Sequence, residues 1–301
     1  MRIDAHFHLI ERISPFCGRG EGRGLGDGRV EFATGEVIRF IPERFNADCF
    51  TAEMGMALMD EFGIDMGVVL QSGYYGFQNS YTMQMAREYP DRFYPVGGLD
   101  PYCKQSERIL NHLIDDLGFR ALKFEISEAA GISGYHPGFS IEGPEMGAVF
   151  DRANDVGMTM AFDVGGANQG SYQIEGFARM IRRYPKVRFV MCHLLCPRGP
   201  GQAGWEQDML ALCADNVWFD IASLPSFINE KAPYAASISY VRKALRLAGE
   251  GRLVWGSDAP LILNRYPYED LLGYFQGSLP AGAVEGMLGG NAIEAYAIPK
   301  R

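Results

Sequence analysis

The sequence has no surplus of basic residues. Its 28 lysines and arginines face 37 aspartates and glutamates, which gives a formal net charge of −9. No segment is dense in lysine and arginine, so the charge pattern disfavours nucleic acid and anionic membrane as partners. We expect the chain to act on a small molecule instead.

Long apolar runs are missing as well. No uncharged apolar stretch approaches the roughly 20 residues that a membrane-spanning helix requires, and the chain does not open with the basic and apolar segments of a secretory signal. These absences predict a cytoplasmic protein. Because no Pro/Ser-rich linker or change in composition divides the chain, we predict one domain over residues 1–301.

The six cysteines form no regular framework. They lie at positions 17, 49, 103, 192, 196 and 213, and without a secretory signal this spread indicates reduced thiols rather than disulfides. Cys192 and Cys196 flank His193 closely enough to suggest a metal site, but a structural zinc centre normally needs four ligands and no second pair follows. We interpret the cysteines mainly as packing residues.

Eight short runs of apolar and β-branched residues alternate with amphipathic segments. The runs are residues 3–8, 66–71, 94–99, 121–125, 159–164, 188–193, 217–221 and 253–257. The segments at 52–62, 109–117 and 174–184 have their apolar residues on one helical face. Alternating strands and helices pair in parallel, because a parallel neighbour is reached only through a crossover.

A missing glycine motif distinguishes the two folds that parallel strands and helices can form, the open sheet and the closed barrel. An open sheet that binds dinucleotides carries Gly-x-Gly-x-x-Gly after its first strand, and here that turn carries His-Phe-His. Eight strands are the number that closes a barrel. The predicted fold class is therefore α/β, a (β/α)8 TIM barrel.

The gap between the first and second runs is unusually long and predicts extra structure. Residues 18–29 are rich in glycine and arginine, and the runs 30–33 and 36–40 flank a Thr34-Gly35 turn typical of a hairpin. This insertion leaves the carboxyl end of the first strand, where barrels carry their active sites. We predict that about residues 9–50 form a lid or substrate-selecting flap, with a flexible loop without function as the alternative.

The first run carries the strongest chemical signal. Side chains alternate along a strand, so Asp4, His6 and His8 project to one side. Two imidazoles at this spacing can bind one metal ion without distorting the strand. Asp258 ends the last run, and its carboxylate could bind the same ion and accept a proton from water. A helix cap is the alternative role of Asp258.

Several short motifs together resemble the amidohydrolase superfamily, in particular its amidohydrolase-related branch of metal-dependent hydrolases and non-oxidative decarboxylases. They are His6-x-His8, Phe-Gly-Ile-Asp at 62–65, Tyr-Pro-Asp-Arg-Phe at 89–93, Gly-Phe-Arg-Ala-Leu-Lys at 118–123, Tyr-Pro at 184–185 before Val-Met-Cys-His at 190–193, and Gly-Ser-Asp at 256–258. The resemblance spans nearly the whole chain. It implies one metal ion, commonly zinc or manganese, bound by the first strand, by a histidine that ends the fifth strand and by the aspartate of the eighth.

The fifth strand departs from this pattern, because Asp163 stands where the family usually has its third histidine. Asp163 could still ligate, and two imidazoles with two carboxylates would neutralise a divalent ion. We expect zinc, and a carboxylate ligand would shift the preference toward manganese or magnesium. Alternatively, the ion is weakly held or absent and Asp163 bonds to the substrate.

Further candidates follow other strands. By the resemblance, His193 would polarise the substrate carbonyl or donate a proton rather than ligate, with a packed core histidine as the alternative. Lys123 and Glu125 share one face of the fourth strand and could either bind substrate and support the site or form an interior salt bridge. His136 could also reach the barrel mouth, although a surface-loop histidine is favoured.

Arginines could clamp a carboxylate substrate. Arg19, Arg23 and Arg29 lie on the insertion and Arg198 follows the sixth strand, and a guanidinium binds a carboxylate through two hydrogen bonds. Solvated loop arginines are the commoner case. His112 lies on an outer helical segment, and we assign it no role.

The leading functional hypothesis is hydrolysis of a small organic acid, lactone or amide by water that the ion activates. Asp258 would be the base, and His193 would stabilise the developing charge. The second hypothesis is a carbon–carbon lyase, in which the ion chelates an aromatic or unsaturated acid and carbon dioxide leaves. The third is a metal-poor barrel that binds a ligand without turnover. Related barrels often pair, which leaves a homodimer open.

Overall fold

A ring of eight parallel strands forms the centre of the protein. The computed structural model describes residues 1–299. The strands are β1 (Ile3–Phe7), β2 (Met66–Val69), β3 (Phe93–Pro95), β4 (Ala121–Glu125), β5 (Thr159–Asp163), β6 (Arg188–Met191), β7 (Val217–Asp220) and β8 (Leu253–Val254). Each lies where the sequence predicted a strand, and most end earlier than predicted, where the chain turns into loops.

Backbone pairing connects the eight strands in a closed order. β1 pairs with β2 and β2 with β3, and an unbroken parallel series runs from β4 to β8. Parallel bridges close the two remaining seams, Gly97 with Leu122 after β3 and Phe7 with Ala259 after β8. The predicted (β/α)8 barrel is thus confirmed.

Helices cover the outside of this ring. They are α1 (Ala52–Glu61), α2 (Asn79–Glu88), α3 (Ser106–Asn111), α4 (Pro144–Val156), α5 (Ile174–Arg183), α6 (Trp205–Leu212), α7 (Leu224–Ile228), α8 (Ala235–Ala248), α9 (Tyr268–Gly273), α10 (Ala281–Glu285) and α11 (Asn291–Ala295). Across residues 1–299, no helix has the length and apolar character that crossing a bilayer demands.

The bounds and packing of α4 follow from its sequence. Pro144 lies in the first turn, where its missing N–H is not needed, and Gly157 ends the helix with a φ of 68°. On the inner face, Phe150 packs against Phe162 of β5 with ring centroids 5.9 Å apart. Burial of each such side chain stabilises the fold by about 1.5–3 kcal/mol, which holds the helix layer on the barrel.

Residues 9–50 form a small antiparallel sheet that follows the carboxyl end of β1. Its strands are Phe16–Cys17, Gly20–Gly24, Arg29–Phe32 and Val37–Arg39. The last two form the predicted hairpin, with Val30 opposite Ile38, whereas a strand at Gly20–Gly24 was not predicted. The N–H of Phe16 donates to Gly73 O at 3.0 Å, which ties this sheet to the loop after β2.

Candidate active site

His6 and His8 of β1 are buried and line a cavity at the carboxyl ends of the strands. His8 Nδ1 lies 3.0 Å from Leu70 O, and His6 Nδ1 lies 3.0 Å from Asp220 Oδ2. A carbonyl or carboxylate oxygen only accepts hydrogen bonds, so both Nδ1 atoms carry hydrogen. This arrangement leaves the two Nε2 atoms as the electron-pair donors of the site.

Asp258 follows β8 and meets both histidines. Its Oδ1 lies 3.1 Å from His8 Nε2 and 3.6 Å from His6 Nε2. Its φ of 69° is left-handed, a strained conformation for a residue with a side chain. Ser223, which is also left-handed at 55°, donates its Oγ hydrogen to Asp258 Oδ2 at 2.6 Å. The strained backbone thus fixes a carboxylate opposite two imidazoles.

The donor set of His6, His8 and Asp258 fits one divalent metal ion. Burial lowers the pKa of His8 to about 4, so its ring is neutral and has one hydrogen, which Leu70 O accepts. The Nε2 lone pair of His8 then faces an oxygen lone pair of Asp258, and a cation between them removes this repulsion. Two ligand atoms about 2.1 Å from a tetrahedral ion lie about 3.4 Å apart, close to the 3.1 and 3.6 Å that separate Asp258 Oδ1 from the two Nε2 atoms. The two Nε2 atoms lie farther from each other, since within residues 1–299 these three donors do not form a group whose atoms all lie within 4.8 Å.

Charge on Asp258 suits this role. Burial alone would raise the pKa of Asp258, but the surrounding imidazoles of His8, His6 and His193 hold the pKa well below its ordinary value. The carboxylate is therefore ionised at neutral pH.

Asp220 ends β7, and sequence reasoning did not single it out. It is fully buried, accepts the backbone N–H of His193 at Oδ1 (2.8 Å) and faces His6 with Oδ2. Burial alone would raise the pKa of Asp220, but the His6 imidazole, which donates its Nδ1 hydrogen to Asp220, lowers the pKa below its ordinary value. Its position at the carboxyl end of an apolar strand, shared with Asp163, was the signal that could have found it.

His193 follows β6 in an unusual turn. Residues 193–196 all have positive φ, from 48° to 63°, although none is glycine. His193 Nδ1 lies 2.9 Å from Ala222 O, and Nε2 lies 3.3 Å from Asp163 Oδ2. Burial alone would lower the pKa of His193, but the charge of Asp163 raises it to about 10. The ring is a buried cation whose centroid lies 4.7 Å from that of His6.

Both oxygens of Asp163 contact protein groups. Oδ1 accepts the N–H of Gly165 at 2.9 Å and the thiol of Cys196 at 3.5 Å, and Oδ2 faces His193. Burial alone would raise the pKa of Asp163, but the charge of His193 holds it far below its ordinary value. Within residues 1–299, two groups have ligand atoms that all lie within 4.8 Å of one another, namely His6 with His193 and Asp258, and His6 with Cys192 and Asp220.

Comparison with known proteins assigns the chain to a family. The family model described as amidohydrolase matches residues 3–298. The chain belongs to the amidohydrolase family. The protein is therefore an enzyme, and this family generally uses a divalent metal ion.

Solved structures share the fold of this amidohydrolase at low sequence identity. An amidohydrolase from Burkholderia multivorans with bound zinc is 16% identical, covers 99% of this chain and 100% of that chain, and has a TM-score of 0.70. A Pseudomonas putida protein named as a 2-pyrone-4,6-dicarboxylic acid hydrolase is 18% identical over 100% and 98%, with a TM-score of 0.70. The 5-carboxyvanillate decarboxylase of Sphingomonas paucimobilis is 15% identical over 82% and 86%, with a TM-score of 0.57. No curated protein sequence matches the chain.

The cavity at this candidate site of the amidohydrolase has a volume of about 240 Å³. Lys123 and Glu125 of β4 form a buried ion pair in its wall, with Lys123 Nζ 3.0 Å from Glu125 Oε2. Ser127 donates to Glu125 Oε1 at 2.6 Å. Burial alone would lower the pKa of Lys123, but the charge of Glu125 raises it above its ordinary value. The wall thus contains both members of a salt bridge.

The structure does not bring every predicted substrate-binding residue of this amidohydrolase to the cavity. Arg198 lies in the wall. Arg19 and Arg23 pair instead with glutamates of the insertion, and His136 Nε2 lies 2.9 Å from Asp100 Oδ2. Among the described residues, none of these three lines the cavity, because nearby carboxylates hold them elsewhere. Their role in substrate binding stays a prediction.

Proposed function

We propose that this amidohydrolase hydrolyses a small organic acid, lactone or amide with one bound divalent metal ion. The observation that carries the proposal is the contact of Asp258 Oδ1 with both His8 Nε2 and His6 Nε2, at 3.1 and 3.6 Å. Zinc is the proposed ion, with manganese or magnesium as alternatives, because imidazole and carboxylate groups can bind each of them. When bound, the ion supplies the Lewis acidity that makes water nucleophilic near neutral pH.

In this proposal Asp258 is the general base. Its Oδ1 faces the histidines, and the hydroxyl of Ser223 holds Oδ2 in place. Asp258 accepts a proton from the attacking water and returns it to the leaving group when the scissile bond breaks. His193 keeps a positive charge beside the reacting carbonyl, which stabilises the negative charge that develops on its oxygen.

A cation in the cavity wall without a protein carboxylate supports an anionic substrate. Lys123 is paired there with Glu125, whereas the side chain of Arg198 has no hydrogen bond or ion pair with other groups in residues 1–299. A guanidinium without a protein carboxylate can bind a carboxylate of the substrate through two hydrogen bonds. The volume of about 240 Å³ suits a small molecule.

The insertion supports a role in substrate selection. Phe40 packs edge-on against Tyr75 at 5.4 Å, and Tyr75 packs against His8 at 4.8 Å. Phe32 and Phe40 also contact Tyr74, which lines the cavity with Tyr75. We therefore propose that residues 9–50 are the substrate-selecting flap that the sequence predicts. They act by holding Tyr74 and Tyr75 in position in the cavity wall.

A carbon–carbon lyase is the second candidate. The cations His193 and Lys123 could hold a carboxylate that leaves as carbon dioxide, and a decarboxylase shares the fold. The non-catalytic barrel is not retained, since membership of the family makes the chain an enzyme.

The test uses chelator-treated protein reloaded with zinc, manganese or magnesium. A panel of lactones, amides and aromatic carboxylic acids is assayed for acid release at constant pH and for carbon dioxide. We expect acid release that stops when the ion is removed, returns on reloading and is absent from His8→Ala. Turnover that ignores both the chelator and His8→Ala would contradict the proposal, and carbon dioxide without ester or amide cleavage would favour the lyase.

A further inference from the structure

The carboxylate of Asp163 contacts both ends of the left-handed turn after β6. Its Oδ2 faces Nε2 of His193, the first residue of the turn, and its Oδ1 accepts the thiol of Cys196, the last. Four successive left-handed residues with side chains cost about 1–2 kcal/mol each, so the turn needs partners that hold it. Asp163 is buried between them and provides two such contacts.

The loop after β5 is shaped to orient Asp163. The N–H of Gly165 donates to Asp163 Oδ1 at 2.9 Å. Gly165 has a φ of 70°, a left-handed conformation that favours glycine, and a Cβ there would meet the side chain of Gln169. Because Gly165 fixes Oδ1, the second oxygen of Asp163 is directed to His193.

Three polar contacts hold His193, one through its backbone and two through its ring. Its backbone N–H donates to Asp220, its Nδ1 faces Ala222 O at 2.9 Å, and its Nε2 faces Asp163. Since both ring nitrogens face groups that only accept hydrogen bonds, both carry hydrogen. A ring in this state has no lone pair for a metal ion.

We propose that Asp163 is a positioning residue that anchors His193 and its turn, and that the ion is held by His6, His8 and Asp258 without Asp163. The inference rests on the proposed function only for the location of the ion. It gives the departure at β5 another meaning. Asp163 stands where the resemblance implies a metal ligand, but it orients the charged ring of His193 instead of binding the ion.

Zinc affinity separates a positioning residue from a ligand. Chelator-treated full-length protein is titrated with zinc against a chromophoric chelator, for wild type, Asp163→Asn, Asp163→Ala and His6→Ala. We expect the zinc Kd of both Asp163 variants to rise less than about tenfold, and that of His6→Ala to rise more than about 100-fold. A rise of tenfold or more in the Asp163 variants that keep a cooperative unfolding transition would overturn the inference.

The ring of His193 gives a second readout. In Asp163→Asn, Gly165 keeps the amide oxygen at the Oδ1 position, so the amide nitrogen faces His193 Nε2, and two donors cannot face each other. We expect nitrogen-15 spectra of histidine-labelled protein to lose the Nε2–H signal of His193 and to keep those of His136. Asp100→Asn is the matched control, because Asp100 pairs with His136 outside the cavity, and it should affect only His136.

Retention of the Nε2–H signal of His193 in Asp163→Asn would overturn the inference. Neither readout needs a substrate. The inference can therefore fail while hydrolysis is found, or hold while the proposed reaction is not.

Discussion

The chain turns at both ends of the barrel, and it uses different residues at the two ends. Before β2, β4, β5 and β8, at the amino end, left-handed positions are occupied by Gly63, Gly118, Gly157 and Gly249. After β6, β7 and β8, at the carboxyl end, they are occupied by His193, Ser223 and Asp258, whereas Gly165 after β5 is a glycine. A side chain in this conformation costs about 1–2 kcal/mol. Strain is thus concentrated where the candidate chemistry lies.

The cavities at the two ends also differ, both in size and in the residues that line them. The cavity at the amino end is larger, about 850 Å³ against about 240 Å³. Its wall is mostly apolar and includes Arg87, Arg120 and Arg188, but within residues 1–299 it contains no histidine or cysteine. Volume alone would therefore favour the amino end of the barrel, whereas strand direction and the clustered donors favour the carboxyl end as the candidate site.

The largest expected effect compares substitutions at the two cavities. His6→Ala removes a donor from the convergent set, and we expect kcat/KM for the best substrate to fall about 1,000-fold or more and bound zinc to be lost. Arg87→Ala alters the larger cavity, and we expect kcat/KM to stay within about twofold. Steady-state kinetics and metal analysis of both variants check this. Equal losses in the two variants would remove the distinction between the ends.

The features predicted from sequence are those set by local pattern. Eight apolar runs gave the strands, and alternation along β1 predicted that His6 and His8 face the same side. Because parallel strands end at one edge, Asp258 could be predicted to meet them from the other end of the chain. The strand Gly20–Gly24 could not be predicted, since glycine is rare in strands and only pairing with its neighbours forms this one.

The remaining features of the site depend on backbone conformations that propensities argue against. Nothing in the residues 193–196 predicts four left-handed positions, since none is glycine. That turn directs His193 toward Asp163, so their pairing could not be predicted either. Asp220 was missed for another reason: an aspartate that ends a strand is common, and only the fold brings it beneath His6.

Buried charge inside the barrel is a second cost, and pH tests it. Asp4 of β1 is fully buried and accepts hydrogen bonds from Ser257, His6 and Tyr268, the first two through backbone N–H groups. Burial raises the pKa of Asp4 to about 6 from 3.8. A raised carboxyl pKa contributes stability that is present below pH 3.8 and is lost as the pH rises through about 6.

The expected loss is about 3 kcal/mol, because a shift of about two units corresponds to about 1.4 kcal/mol per unit. Urea unfolding of chelator-treated wild type and Asp4→Asn, measured between about pH 4 and pH 7, isolates it. We expect the free energy of unfolding of wild type, relative to Asp4→Asn, to fall by about this amount as the pH rises. If the free energy of unfolding of wild type relative to Asp4→Asn stays constant or increases as the pH rises, then ionising Asp4 in the folded protein does not destabilise it.

The smallest expected effect tests the amino-end glycines directly. Gly118 has a φ of 91°, and a Cβ there would have nothing within 4 Å. Gly118→Ala therefore causes no clash and tests only the cost of a side chain at a left-handed backbone position. We expect it to lower the free energy of unfolding by about 1–2 kcal/mol without changing zinc affinity. Gly147→Ala is the matched control, because Gly147 is equally open but lies inside α4, where alanine stabilises by about 0.5–1 kcal/mol. If both substitutions raise the free energy of unfolding by similar amounts, the amino-end turns do not require glycine. Backbone strain would then no longer distinguish the two ends of the barrel.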